Sequence, residues 1–216
     1  MFWLGLFFVI TTFLSYLTYA YEFQRVFDIN IRRVLVLLDL RKENTLATWF
    51  SSILFLMTGL AFVLLGWSKN FKIANWQRFI FKLTAIGAVL LSADEVASIH
   101  ETVGKWSRRA AEDVITFLPV DERGFVWVLI FAPIAIVGLI ATVIALNKVI
   151  KQDFQQVVAL WTAVLCLPTV FAFELFEWIF YSEKLKVFGC WEEGFELLGM
   201  YSLFICAVLI ARQNKL

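Results

Sequence analysis

The chemistry in this chain lies in carboxylates set within apolar surroundings. Across residues 92–105 (SADEVASIHETVGK) an apolar run turns acidic without losing helical spacing. At about 100° per residue, Asp94, Ser98, Glu101 and Lys105 fall on one stripe. Residues 171–181 (FAFELFEWIFY) repeat the event with Glu174 and Glu177 at i, i+3, and residues 191–200 (WEEGFELLGM) with Glu192, Glu193 and Glu196. A carboxylate in hydrocarbon is costly unless it is protonated, paired or metal-bound, so three acidic helix ends point to function.

Carboxylates drawn from three helices form an oxygen-rich site that suits Ca²⁺, Mg²⁺ or Mn²⁺. His100 at the same helix end extends the choice to an iron or manganese centre. The expected metal ligands are Asp94, Glu101, Glu174, Glu177 and Glu196, with His100 at the edge of the set. A Glu-x-x-His pair is missing, because Ala97 stands three residues before the sole histidine. Glu192 and Glu193 open a helix, where acids favour the dipole for structural reasons alone. Two competing readings need no metal: carboxylates sharing a proton, or acids paired with Lys105, Arg108, Arg109, Lys184 and Lys186, whose long side chains reach back a turn or two.

These acids need helices to hold them. The 216 residues are 61% hydrophobic and 17% aromatic, with a mean hydropathy of +0.80, well above a soluble domain. Long unbroken apolar runs and the absence of ten-residue alternation exclude a β-barrel. The expected fold is all-α, a polytopic membrane helix bundle forming a single integral domain over 1–216. About six transmembrane helices are expected, with an interfacial segment between the first two.

The first span is expected over residues 1–21, and a retained helix is favoured over a signal peptide, since its start lacks Lys or Arg and Thr18-Tyr19-Ala20 is a poor cleavage signal. Residues 22–44 mix five basic residues with Val34-Leu35-Val36-Leu37-Leu38 and suit the headgroup boundary. The later spans are 45–67, 79–100, 124–147, 157–181 and 191–211, with the helical pattern of the third running on towards Trp106 and Ala110. Pro168 is expected to kink the fifth before Glu174.

Six alternating spans bring the end of the third, the end of the fifth and the start of the sixth to one side. All but one, Asp153, of the 18 Asp and Glu residues fall there. The opposite face is basic, with its Lys and Arg packed into short loops and a tail from Lys69 to Lys215, which favours cytoplasmic termini. The overall pattern suits a bacterial multi-pass protein, so the expected location is a bacterial cytoplasmic membrane.

Other classes are excluded by their missing parts. A net charge of +1 and the lack of a basic stripe give no footprint for nucleic acid. Cys166, Cys190 and Cys206 lack CxxC spacing and read as core fillers. No Gly-rich phosphate loop, nucleophile elbow or His-Glu-x-x-His occurs. The expected partners are the lipid bilayer and an amphiphilic small-molecule substrate, acted on by a bound divalent metal ion. Two alternatives stand beside this reading: a proton- or cation-coupled carrier, and a non-catalytic subunit that docks a partner through its acids.

Overall fold

The computed structural model describes residues 5, 9, 46–100, 102, 103, 106, 126–151, 153–179 and 186–215. Five helices order this part of the chain: α1 (Leu46–Trp67), α2 (Asn75–Ala97), α3 (Val126–Asn147), α4 (Phe154–Ile179) and α5 (Lys186–Gln213). They are the second to sixth of the expected spans. No strand occurs among the described residues. The first span, Gly5 and Val9 apart, and the boundary segment 22–44 lie outside the described residues. Three stretches are long and apolar enough to cross a membrane: Thr48–Trp67 of α1, Phe154–Phe173 of α4 and Trp191–Gln213 of α5.

The helices pack in a ring. α1 lies against α2 and α5, α5 against α4, and α3 bridges α4 back to α2. With no hydrophobic drive between helices in lipid, close approach depends on small residues and hydroxyl bonds. α1 supplies both on one face through Ser52, Gly59 and Gly66, spaced every seven residues. Ser52 Oγ donates to the Ser92 carbonyl at 2.9 Å, and Ser92 Oγ donates back to the Ser52 carbonyl at 2.8 Å. A Cβ on Gly59 would stand 3.1 Å from the Ala85 carbonyl oxygen, and one on Gly66 would stand 3.1 Å from the Lys82 nitrogen. Where α5 meets α4, a Cβ on Gly199 would come within 2.7 Å of Leu167. α2 meets α3 through a hydroxyl pair, Thr84 with Thr142 at 2.7 Å.

One end of the ring is tied by polar side chains. Arg78 donates to the carbonyls of Ser68 at 2.6 Å, Phe71 at 2.8 Å and Gly66 at 3.4 Å, satisfying acceptors that the end of α1 leaves unpaired. Gln156 Nε2 donates to Gln213 Oε1 at 3.1 Å, joining the start of α4 to the end of α5. Lys69, Lys72, Lys148, Lys151, Arg212 and Lys215 are exposed at this same end. Arg78 is thus half-buried, unlike these exposed neighbours.

Two boundaries differ from expectation in ways that move the acids. α5 begins at Lys186, so residues 186–190, expected in a hairpin, are helical and Glu196 lies about 15 Å inside the helix. α2 stops at Ala97, where Ser98 takes the left-handed conformation (φ 47°, ψ 46°), and the continuous helix expected towards Trp106 is interrupted. Pro133 and Pro168 sit within α3 and α4 without ending either helix.

Candidate functional site

Ser98 interrupts α2 because a neighbour holds the turn. The Ser98 N–H donates to the Asp94 carbonyl at 2.7 Å, closing the last turn of α2. The backbone then turns, so that the His100 N–H donates to Asp94 Oδ1 at 2.7 Å while His100 Nδ1 meets Asp94 Oδ2 at 2.9 Å. An ionised carboxylate only accepts, so Nδ1 carries the proton in this pair. Thr102 N–H and Thr102 Oγ1 both donate to the Ser98 carbonyl at 3.2 Å, and helical turns resume. Asp94 therefore closes one helical segment with its carbonyl and caps the next with its carboxylate.

This pair changes the roles expected of its members. Asp94, 23% exposed, directs both oxygens to His100, 33% exposed, and among the described residues to neither an arginine nor a lysine. With Nδ1 protonated, a neutral imidazole would carry its lone pair on Nε2, the carboxylate–histidine arrangement that orients metal-ligating or basic imidazoles. The stripe Asp94, Ser98, Glu101, Lys105 is not continuous, because the left-handed residue lies in its middle.

Cross-helix contacts give the level of the other acids. Ser52 pairs with Ser92, which sets Asp94 opposite Phe50 on the antiparallel α1. Thr58 reaches the Met200 carbonyl at 3.5 Å. Stepping back six residues, about 9 Å, from Thr58 to Ser52 therefore takes the parallel α5 from Met200 to Gly194. Phe173 stacks on Phe195 with ring centroids 5.6 Å apart, which brings the backbone of Glu174 to that level too. Asp94, Glu193, Glu196 and the backbone of Glu174 thus share a slab about one helical turn thick. Glu192, Glu193 and Glu196 are half-buried.

Sharing a level is less than sharing an ion. Among the described residues, no three His, Cys, Asp or Glu side chains form a metal-binding group. Glu101 and the side chains of Glu174 and Glu177 lie outside the described residues, as do Lys105, Arg108, Arg109 and Lys184. Of the six expected ligands, the structure brings Asp94 and His100 together and sets Glu196 at their level on a helix that α1 separates from α2.

An apolar cleft of about 250 Å³ opens between α1 and α5, lined by Phe50, Ile53, Leu54, Met57, Tyr201 and Phe204, with Gly5 beside Tyr201. Phe50 lies at the Asp94 level and Met57 seven residues deeper, so the cleft runs about 10 Å into the bundle from that level.

The sequence profile of the domain of unknown function DUF8692 matches residues 1–211. The chain belongs to this family. All five helices start within the family's span, and so does every candidate residue from Asp94 to Glu196. No curated protein and no solved structure matches the chain.

Sequence reasoning missed the Asp94–His100 pair because i, i+6 falls 240° apart on a straight helix. No residue in the stretch announces the break, since neither Gly nor Pro occurs between Ala88 and Val103. The Ser52, Gly59, Gly66 repeat was visible in the sequence and signals close packing rather than chemistry.

Proposed function

We propose that this chain is a multi-pass membrane protein of about six spans whose acidic end binds a divalent cation at one leaflet. His100 Nε2 is the nitrogen donor, and Asp94 is the carboxylate that fixes the ring. Glu196, with Glu101, Glu174 and Glu177, supplies the oxygen donors. The observation that carries this reading is the two-point bond of Asp94 to His100, which sets the tautomer a metal-bound imidazole requires. A mixed nitrogen and oxygen set favours manganese or iron over calcium or magnesium.

A cation held there would supply a Lewis acid or an activated water. The cleft from Phe50 to Met57 supports an amphiphile as the substrate, its apolar part along α1 and α5 and its polar part at the acidic level. The basic end, with its exposed lysines in short loops, favours placement on the cytoplasmic side of a bacterial membrane.

Elemental analysis of protein purified in detergent tests the reading. Wild-type protein should carry stoichiometric metal, and His100→Gln and the Glu174→Gln/Glu196→Gln pair should lose it. Full metal content in His100→Gln would remove the histidine from the site, and no metal in the wild type would remove the site altogether.

A further inference from the structure

We infer that residues 94–100 form a two-state hinge, in which the Asp94 carboxylate selects between a broken helix and a straight one. The inference is independent of cation binding, and its two states are defined by bonds that cannot coexist.

The bond from the Ser98 N–H to the Asp94 carbonyl is an ordinary i to i−4 helical bond. It is available whether the helix continues or breaks, so it selects neither form. The two carboxylate bonds are different. On a straight helix His100 lies 240° around and about 9 Å along the axis from Asp94, out of reach of its oxygens. The contacts at 2.7 Å and 2.9 Å exist only when Ser98 turns left-handed. A ligand or substitution shifts a two-state element only through contacts that differ between the states, and these are such contacts.

Local sequence favours the other state. Ala88 to Val103 has neither Gly nor Pro, and Ser98 is not a residue that takes the left-handed region without strain. Its neighbour Ile99 is β-branched and gives the turn no help. The straight form would restore the stripe Asp94, Ser98, Glu101, Lys105 that the periodicity of the sequence specifies. The hinge thus exchanges one set of polar neighbours for another at the acidic end of α2. In the broken form Asp94 holds His100; in the straight form it lines up with Glu101 and Lys105.

Spin labels at Leu91 and Trp106, both exposed, measure the state of the hinge directly. Fifteen residues of straight helix separate them by about 22 Å, and a break between them shortens that distance. Labelled protein in nanodiscs should give the shorter distance with Ser98 native and with Ser98→Gly, which accepts the left-handed turn. Asp94→Ala, which removes both selective bonds, and Ser98→Val, which penalises the turn while leaving Asp94 and His100 intact, should both move the distance to about 22 Å. The inference is overturned if either variant keeps the wild-type distance, or if the native protein already shows the straight value. Failure of Ser98→Val to fold counts against it as well, because the straight form must itself be a folded state.

Discussion

Ser52 and Ser92 each donate a hydroxyl to the other's carbonyl and their Oγ atoms stand 3.0 Å apart, a direct side-chain contact that couples their contributions. Hydroxyl bonds between membrane helices average about 0.6 kcal/mol by mutant cycles and reach about 1.7. Ser52→Ala and Ser92→Ala should each lower stability by about 1 kcal/mol, and the double variant should lose less than their sum. Unfolding midpoints in mixed micelles read this out; strict additivity would mean the two hydroxyls do not interact, and unchanged midpoints in both single variants would mean the bonds do not form. Two glycines carry opposite predictions by the same measurement. Gly199→Ala places a Cβ within 2.7 Å of Leu167 and 3.2 Å of Cys166, and should cost about 1–3 kcal/mol, partly recovered by Leu167→Ala. Gly87 has nothing among the described residues within 4 Å of such an atom, so Gly87→Ala should gain about 0.5–1 kcal/mol from helix propensity.

At the level of elements, the hairpin from α1 to α2 and the end of α2 are stabilised by single residues. Arg78→Met removes three donors from the carbonyls of Gly66, Ser68 and Phe71 and should destabilise the bundle by about 2–3 kcal/mol. Arg78→Lys should recover only part of this, because an ammonium lacks the fork that spans three acceptors. At the other end of α2, left-handed Ser98 stores about 1–2 kcal/mol of backbone strain. Ser98→Gly should release about 1 kcal/mol of it, seen as a raised unfolding midpoint. Five of the six expected spans are legible as helices because each is a long apolar run with polar ends, and three of the five are long and apolar enough to cross a membrane. Their boundaries were less legible. Lys186 to Cys190 falls in the hairpin expected before the sixth span, because that span's apolar run begins only at Trp191, yet the segment joins α5. The end of α2 depends on a carboxylate reaching six residues ahead, which no periodic pattern records.

At the scale of the whole molecule, charge separates by end among the described residues. Exposed lysines and arginines gather where α1, α3 and α5 finish, and Asp94, Glu192, Glu193 and Glu196 lie towards the other end. Density of basic residues in short loops sets orientation, so a reporter fused after Leu216 should be active only in its cytoplasmic form. Periplasmic activity would invert the assignment of faces. The candidate site was legible in part for the same reason that the bundle was. Antiparallel helices force the acidic stretches to one end, and the register through Ser52–Ser92, Thr58–Met200 and Phe173–Phe195 brings Asp94, Glu193 and Glu196 to one level. What the linear pattern did not convey was lateral position: α1 stands between α2 and α5, and both Asp94 oxygens meet His100.

The reading that joins residue, helix and membrane is a cation held by an imidazole whose orientation Asp94 fixes, and manganese is the probe that sees it. With the protein in nanodiscs, titration by Mn²⁺ followed by electron paramagnetic resonance should show tight binding of stoichiometric ion, with modulation from a coordinated imidazole nitrogen. Asp94→Asn should weaken that binding about 10- to 100-fold, and His100→Gln should abolish the nitrogen signal. Mn²⁺ that stays free in solution, or that binds with no nitrogen coupling in the wild type, would contradict it.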